Sequence, residues 1–311
     1  MLSKVIYSKE ESIIDNDNSG FYASVIVPCK NEVDSIKWTI DSIKNSQNNL
    51  SYEIIIVDDG STDRSCNFID ENKEAYKNIR IIRTENGGTA GARNIGAEAA
   101  EGKYLFFCDA HVKVPDYWID NLIETLEKND ADAVAATIKV MDGEARGYGG
   151  TWNNKLQFTW LGKPEETVAE IPFLSGGALA IKRDVFQEIG GFDKNFEVYG
   201  VEDQEISLKL WLFGYKVVIN CSVEVEHLYK EKRCYEVTYL NVQYNFLCMV
   251  YSHFGYDNLV KAIRAAKELP SFDEAMAKVI VNDNIFKQRR DYFSRRKYDE
   301  NYFIQKFNIQ F

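Results

Sequence analysis

The chain has 311 residues, 45% of them hydrophobic, and a formal net charge of −11, enough to bury a substantial core as one large domain or two modest ones. That acidity excludes a surface given over to nucleic acid, because phosphate binding relies on clustered Lys and Arg, so no nucleic-acid partner is expected. The six cysteines, Cys29, Cys66, Cys108, Cys221, Cys234 and Cys248, form no CxxC pair, which excludes a zinc ribbon or a compact disulfide framework and reads as reduced thiols in a cytosolic protein.

Residues 1–20 form a polar arm without the apolar run of a signal peptide, expected to be poorly ordered. Short apolar runs then alternate with amphipathic ones. Strands are predicted at 23–28 (ASVIVP), 52–58, 79–83 and 104–108, and helices at 34–44, where Ile36, Ile40 and Ile43 share a face, at 62–72 and at 90–100. This is the βαβ rhythm of an α/β fold with a mainly parallel sheet covered on both faces, whose ligands sit beyond the carboxyl ends of the strands. Polar residues fall there: Asn31 and Glu32 after the first strand, Asp58 and Asp59 ending the second, Glu85 and Asn86 after the third, Asp109 and His111 after the fourth.

The second half is less regular. Strands at 133–140 and 178–181 flank a Gly- and aromatic-rich stretch, 147–164, that suits a binding loop. Its Tyr148, Trp152, Phe158 and Trp160 offer apolar faces to an acceptor, with Trp152 and Trp160 the expected acceptor-side residues. A helix at 203–213 and a strand at 216–220 lead to His227, followed by an aromatic, mostly helical tail. The tail's basic run, Lys287, Arg289, Arg290, Arg295, Arg296 and Lys297, reads as a solvated helix face, with an acidic membrane surface as the alternative partner. No run of roughly 18 apolar residues occurs, so no spanning helix is expected. The expected location is cytoplasmic, with peripheral contact at the inner face of the membrane through that run as the alternative.

Asp109 and His111 lie two apart, so in extended backbone both side chains point the same way and are placed to grip one ion. His227 follows a strand and completes a set of one carboxylate and two imidazoles, which leaves room for water and diphosphate oxygens around a divalent cation. The bland reading of Asp109 is a turn cap, and His253 reads as a structural histidine. In IIIVDDGSTD, turn chemistry accounts for Gly60, Thr62 and Asp63 but not for Asp58, whose strand-end carboxylate is placed to accept from a ligand. Glu202, Asp203 and Glu205 open a helix, where they complement its dipole; the dipole is expected to lower the pKa of Asp203.

Together SVIVPCKNE, IIIVDDGSTD, GGTAGARNIGAEAAEGKYLFFCDAH, FLSGGALAIKRDVFQEIGGFD and YGVEDQEISLKLWLFGY resemble the successive motifs of GT-A glycosyltransferases of the family-two type. The resemblance implies a metal-dependent nucleotide-sugar site, with Pro28, Glu32 and Asp58 lining a uridine pocket, Arg93 and the Gly176–Gly177 pair at the nucleotide sugar, and Asp109 reaching both ribose and metal. Where most members carry DxD, this chain has Asp109-Ala110-His111, which is similar to the polypeptide N-acetylgalactosaminyltransferases. Those enzymes retain anomeric configuration, and the resemblance makes His227 the third ligand of Mn²⁺, with Mg²⁺ as the alternative. The Glu202–Asp203 pair instead resembles the ED motif of inverting enzymes, whose Asp is the base, with Glu202 holding the acceptor or orienting that base.

The expected organisation is an arm (1–20), a transferase domain (21–228) with a nucleotide-binding half (21–111) and an acceptor half (112–228), and a helical C-terminal extension (229–311). The expected reaction moves a sugar from a UDP-sugar to a glycan, lipid-linked or peptide acceptor, by inversion with Asp203 as base. The alternatives are a retaining transferase or a non-catalytic module that binds sugar nucleotide. A nucleotidyltransferase would need a Gly-rich, basic loop after the first strand, which PCKNE does not supply.

Overall fold

The computed structural model describes residues 20–230 and 233–311; the expected arm falls outside them up to residue 19. The first half alternates as read: β1 (Ala23–Cys29), α1 (Ile36–Asn45), β2 (Tyr52–Asp59), α2 (Asn67–Glu71), β3 (Ile79–Thr84), α3 (Gly88–Ala99) and β4 (Tyr104–Cys108). These strands pair in parallel in the order β4-β1-β2-β3. β1, β2 and β4 are largely apolar on both faces because both are covered, whereas β3, at the edge, exposes Arg80 and Arg83. Ile26, Ile55, Val57, Leu105 and Phe107 pack towards α3, and Val25, Val27, Ile54, Ile56 and Phe106 towards α1. The sheet and α3 meet closely at Gly96, where a Cβ would lie 2.4 Å from Ile26.

The helix predicted at 62–72 is reduced to α2. Asp63 accepts from the backbone of Val33 and Ser65, and Arg64 is in the left-handed region at φ 67°, so residues 62–66 form turns rather than a helix.

The second half runs β5 (Val112–Lys113), α4 (Trp118–Lys128), β6 (Ala133–Val140), β7 (Arg146–Gly147), β8 (Gly150–Trp152), β9 (Phe158–Trp160), β10 (Val168–Glu170), β11 (Ala178–Lys182), α5 (Arg183–Glu188), α6 (Glu202–Phe213) and β12 (Val217–His227). It extends the sheet to the order β10-β12-β6-β11-β4, with β5 on β12 and β7 on β6, while β8 and β9 form a separate hairpin. The sheet is mixed: β11 runs antiparallel to both β4 and β6, and β12 parallel to β6.

The strand predicted to stop at residue 220 continues to His227. Asn220 turns its carboxamide back on Ser222, the ladder slips between Asn220 and Glu224, and pairing with β6 then resumes as far as His227↔Val140. That bulge lets one strand begin in the core and end at the cleft.

The C-terminal region folds as α7 (Tyr239–His253), α8 (Tyr256–Ala266), α9 (Phe272–Val281), α10 (Asp283–Arg295) and α11 (Glu300–Lys306). Its aromatic residues share a core with the sheet, for Phe303 and Phe254 pack on Trp152. The basic run is solvated in part: Lys287, Arg290, Arg295 and Lys297 are exposed, and Arg289 and Arg296 are half-buried. Arg289 donates to the carbonyls of Tyr251 and Phe254, Arg296 to that of His253, and Arg295 to that of Glu188, so three of its cations satisfy carbonyls at the ends of α7 and α5. Among the described residues no helix is long and apolar enough to cross a membrane.

Candidate active site

A cleft of about 1040 Å³ opens at the carboxyl ends of β1, β2 and β4. Asp109 leaves β4 with its backbone N–H donating to Gly177 O at 3.4 Å. Three residues on, β5 pairs with the end of β12, placing Val112 opposite His227, and Leu228 N donates to His111 O at 3.0 Å. This pairing converts a separation of more than 100 residues into a cluster. Ligand atoms of Asp109, His111 and His227 lie within 4.8 Å of one another, His227 Nε2 is 3.2 Å from Asp109 Oδ2, and the two imidazoles stand 4.8 Å apart, nearly perpendicular at 79°. Gly177 backs the cluster, since a Cβ there would come within 3.2 Å of the His227 ring. Burial opposes ionisation of Asp109, but the His227 hydrogen bond and the charge of Arg93 hold its carboxyl well below the usual range. A carboxylate with two imidazoles is a donor set that fits a divalent cation.

Arg93, on α3, is 2% exposed and ties the site together. Nη2 donates to Asp109 Oδ1 and Gly176 O, both at 3.1 Å, and Nη1 to Glu202 Oε1 at 3.3 Å. Its expected approach to a nucleotide is thus confined to the buried wall of the cleft. Glu202 also accepts from Gly200 N at 2.8 Å, and Asp203 from Gly176 N at 3.3 Å. Burial pushes Glu202 up to about 7, against Arg93 and with the help of Asp203. Asp203 is raised as well, by burial, although Arg93 and the Gly176 N–H oppose it. Desolvation therefore outweighs the helix N-terminus that was expected to lower it.

Pro28, Glu32, Gly176 and Gly177 line the cleft. Glu32 is buried and faces His111, with its Oε1 3.3 Å from the ring's Nδ1, while Lys230 and Ser35 take its other oxygen. Asp58 lies outside the lining, because side chains alternate along β2 and it turns to the face of Ile54 and Ile56, accepting from Ser61 N at 3.0 Å. Its neighbour Asp59 lines the cleft and accepts from Thr84 Oγ1 and from the N–H groups of Gly87 and Gly88. The alternation in IIIVDD was the signal for that choice. Lys30, Tyr199, Arg233 and Tyr235 also line the cleft; Lys30 and Tyr199 fall within the motifs SVIVPCKNE and YGVEDQEISLKLWLFGY, whereas no pattern in the sequence marks Arg233 and Tyr235.

The two tryptophans part company. Trp160 is 45% exposed and, with Phe158, lines the cleft. Trp152 is 3% exposed, packed on Phe173, Phe254 and Phe303, with its N–H donating to Gln204 at 2.7 Å. It is a core residue and not part of the acceptor side. His253 is buried, as a structural histidine should be, with Nε2 2.8 Å from Glu205 Oε1.

The profile described as Glycosyl transferase family 2 matches residues 24–190. The chain belongs to that family. A second profile, described as N-terminal domain of galactosyltransferase, matches residues 166–233. Among curated relatives, polypeptide N-acetylgalactosaminyltransferase 8 of Drosophila melanogaster is 32% identical over 71% of this chain and 40% of its own length. Inactive polypeptide N-acetylgalactosaminyltransferase-like protein 5 of Macaca fascicularis is 32% identical over 68% of this chain and 52% of its own length. The family 2 chain thus spans about half the length of these relatives or less. Among solved structures, GalNAc-T7 with UDP, GalNAc and Mn²⁺ superposes at a TM-score of 0.72 with 22% identity, over 94% of this chain and 57% of that one. S. aureus TarS 1–349 in complex with UDP-GlcNAc superposes at 0.58 with 16% identity, over 87% of this chain and 79% of that one. These likenesses establish the fold, which is the GT-A arrangement that the sequence motifs resemble.

Proposed function

We propose that this family 2 chain is a divalent-cation-dependent glycosyltransferase that moves a sugar from a UDP-sugar to a glycan, lipid-linked or peptide acceptor. The observation that carries the reading is the convergence of Asp109, His111 and His227 in the same cleft as the buried acidic pair Glu202 and Asp203. UDP and Mn²⁺ in the GalNAc-T7 structure support a UDP-linked donor with a divalent cation, and the word polypeptide in the names of the curated relatives favours a peptide acceptor.

Asp109, His111 and His227 would hold a divalent cation, which would supply Lewis-acid neutralisation of the charge on a diphosphate leaving group. Arg93 keeps the carboxyls of Asp109 and Glu202 fixed in one charge network. Asp203, with a single long hydrogen bond from Gly176 and a raised pKa, is the freer of the two acids and suits the base that takes a proton from an acceptor hydroxyl. Glu202, held by Arg93 and Gly200, orients it. Trp160 and Phe158 supply an apolar face for the acceptor. This arrangement favours inversion; the resemblance of Asp109-Ala110-His111 to the polypeptide transferases supports retention instead.

Incubating the chain with a panel of UDP-sugars and Mn²⁺ tests the reaction class. Turnover lost in EDTA and restored by Mn²⁺ is the expected result, and no turnover of any UDP-sugar, as in a non-catalytic module, overturns it. The anomeric configuration of the product by NMR decides the mechanism. Inversion, with Asp203→Asn losing at least about 100-fold in kcat, is expected; an α-linked product from an α-linked donor assigns retention.

A further inference from the structure

We propose that Glu32 is a positioning residue for the cation site: it fixes the ring of His111 and acts on the cation only through that ring, touching neither cation nor nucleotide itself. The inference rests on the cation-dependent reading above.

Glu32 is held before any ligand arrives. Its backbone N–H donates to Ser65 Oγ at 2.7 Å, and its carbonyl accepts from Ser35 N at 2.9 Å and Ile36 N at 2.8 Å, so the loop after β1 is pinned to the start of α1 and to the turn before α2. The two carboxylate oxygens have separate duties. Oε2 accepts from Lys230 Nζ and Ser35 Oγ, while Oε1 stands 3.3 Å from His111 Nδ1. That nitrogen is buried and makes no hydrogen bond among the described residues, and the Glu32 carboxylate is the acceptor that stands beside it. A neutral imidazole whose Nδ1 faces a carboxylate carries its proton there and leaves the Nε2 lone pair free for a metal.

The same contacts argue against two simpler roles. A fourth ligand would need a carboxylate oxygen within the cluster, yet the convergent set contains Asp109, His111 and His227 without Glu32. A nucleotide contact would need a free oxygen, yet Lys230 and Ser35 occupy one and His111 faces the other. Lys230 follows His227 by three residues, so one buried carboxylate braces both segments that carry the imidazoles.

The test is Mn²⁺ titration of the full chain, followed by electron paramagnetic resonance of the free ion, without sugar nucleotide, for wild type, Glu32→Gln, His111→Ala and the double variant. Glu32→Gln is expected to weaken Mn²⁺ binding by roughly 10–100-fold and to add nothing in the His111→Ala background, because its effect passes through the missing ring. UDP affinity measured by calorimetry in EDTA should stay unchanged. Wild-type Mn²⁺ affinity in Glu32→Gln, an equal loss in both backgrounds, or a fall in cation-free UDP affinity each overturns the proposal. If Glu32→Gln does not fold, Glu32→Asp, which draws the carboxylate back by one methylene, takes its place with the same expectations. A wild-type chain that binds no Mn²⁺ overturns both this inference and the cation-dependent reading, whereas one that binds Mn²⁺ but turns over no UDP-sugar removes the transferase reading alone.

Discussion

Glu202 is a carboxyl raised to about 7 by burial from an ordinary 4.5, and the sign of its effect on stability follows. Below about 4.5 both folded and unfolded chains hold the proton. Between the two values the unfolded chain releases it and the folded chain keeps it, so stability falls as pH rises; above about 7 the slope from this group ends. At its steepest the contribution is about 1.4 kcal/mol per pH unit. Thermal unfolding from pH 5 to 8 should therefore show a decline that Glu202→Gln flattens, and an unchanged slope would mean that Glu202 is ionised throughout. The tryptophans give a second contrast. Trp152→Ala should cost about 3–5 kcal/mol in denaturant unfolding, while Trp160→Ala should leave stability within about 0.5 kcal/mol and raise the acceptor KM. The convergence of Asp109, His111 and His227 was legible in the sequence because the Asp-x-His spacing is local and the chain has only three histidines. The burial of Trp152 was not, because Phe254 and Phe303 lie more than 100 residues further along.

At the scale of elements, α6 carries the acidic pair at its start and a wholly buried ionic knot two turns in. Glu205, Lys209 and His253 are each 0% exposed. Lys209 Nζ lies 3.1 Å from Glu205 Oε1 and 3.2 Å from Tyr292 Oη, and the His253 ring stacks on Tyr292 at 4.9 Å. The knot joins α6 to α7 and α10. Lys209→Met leaves Glu205 with only His253 to balance it, and should destabilise by about 3–5 kcal/mol; urea unfolding that matches wild type would show that the knot carries no stability. The strands of the first half were legible from continuous apolar runs, since a covered parallel strand has no other composition. Both α4, whose Trp118, Leu122 and Leu126 follow a helical spacing, and α5 were passed over in favour of the neighbouring strands. The full length of β12 was not legible, because periodicity cannot register the Asn220 side chain that bends the strand and lets it resume.

At the scale of the molecule, the expected boundary at 228/229 divides neither core nor charge. Phe303 lies against Trp152 and Phe173, and His253 and Tyr292 complete the surroundings of a buried acid and lysine in α6. A fragment of residues 20–228 should accordingly show no cooperative thermal transition and should bind UDP at least about 10-fold more weakly than the full chain; a sharp transition with full UDP binding would show the helices to be an appendage. The consequence reaches the design of hybrids. Grafting the helices of another family 2 chain onto this sheet exchanges the partners of Glu205 and Lys209 and the rings on Trp152 together, so crossover points chosen by motif alone cut through one interior. The workable crossover lies in the hairpin of β8 and β9, which carries Trp160 at the rim of the cleft and can be traded for another rim, provided that Trp152 on its inner strand is kept.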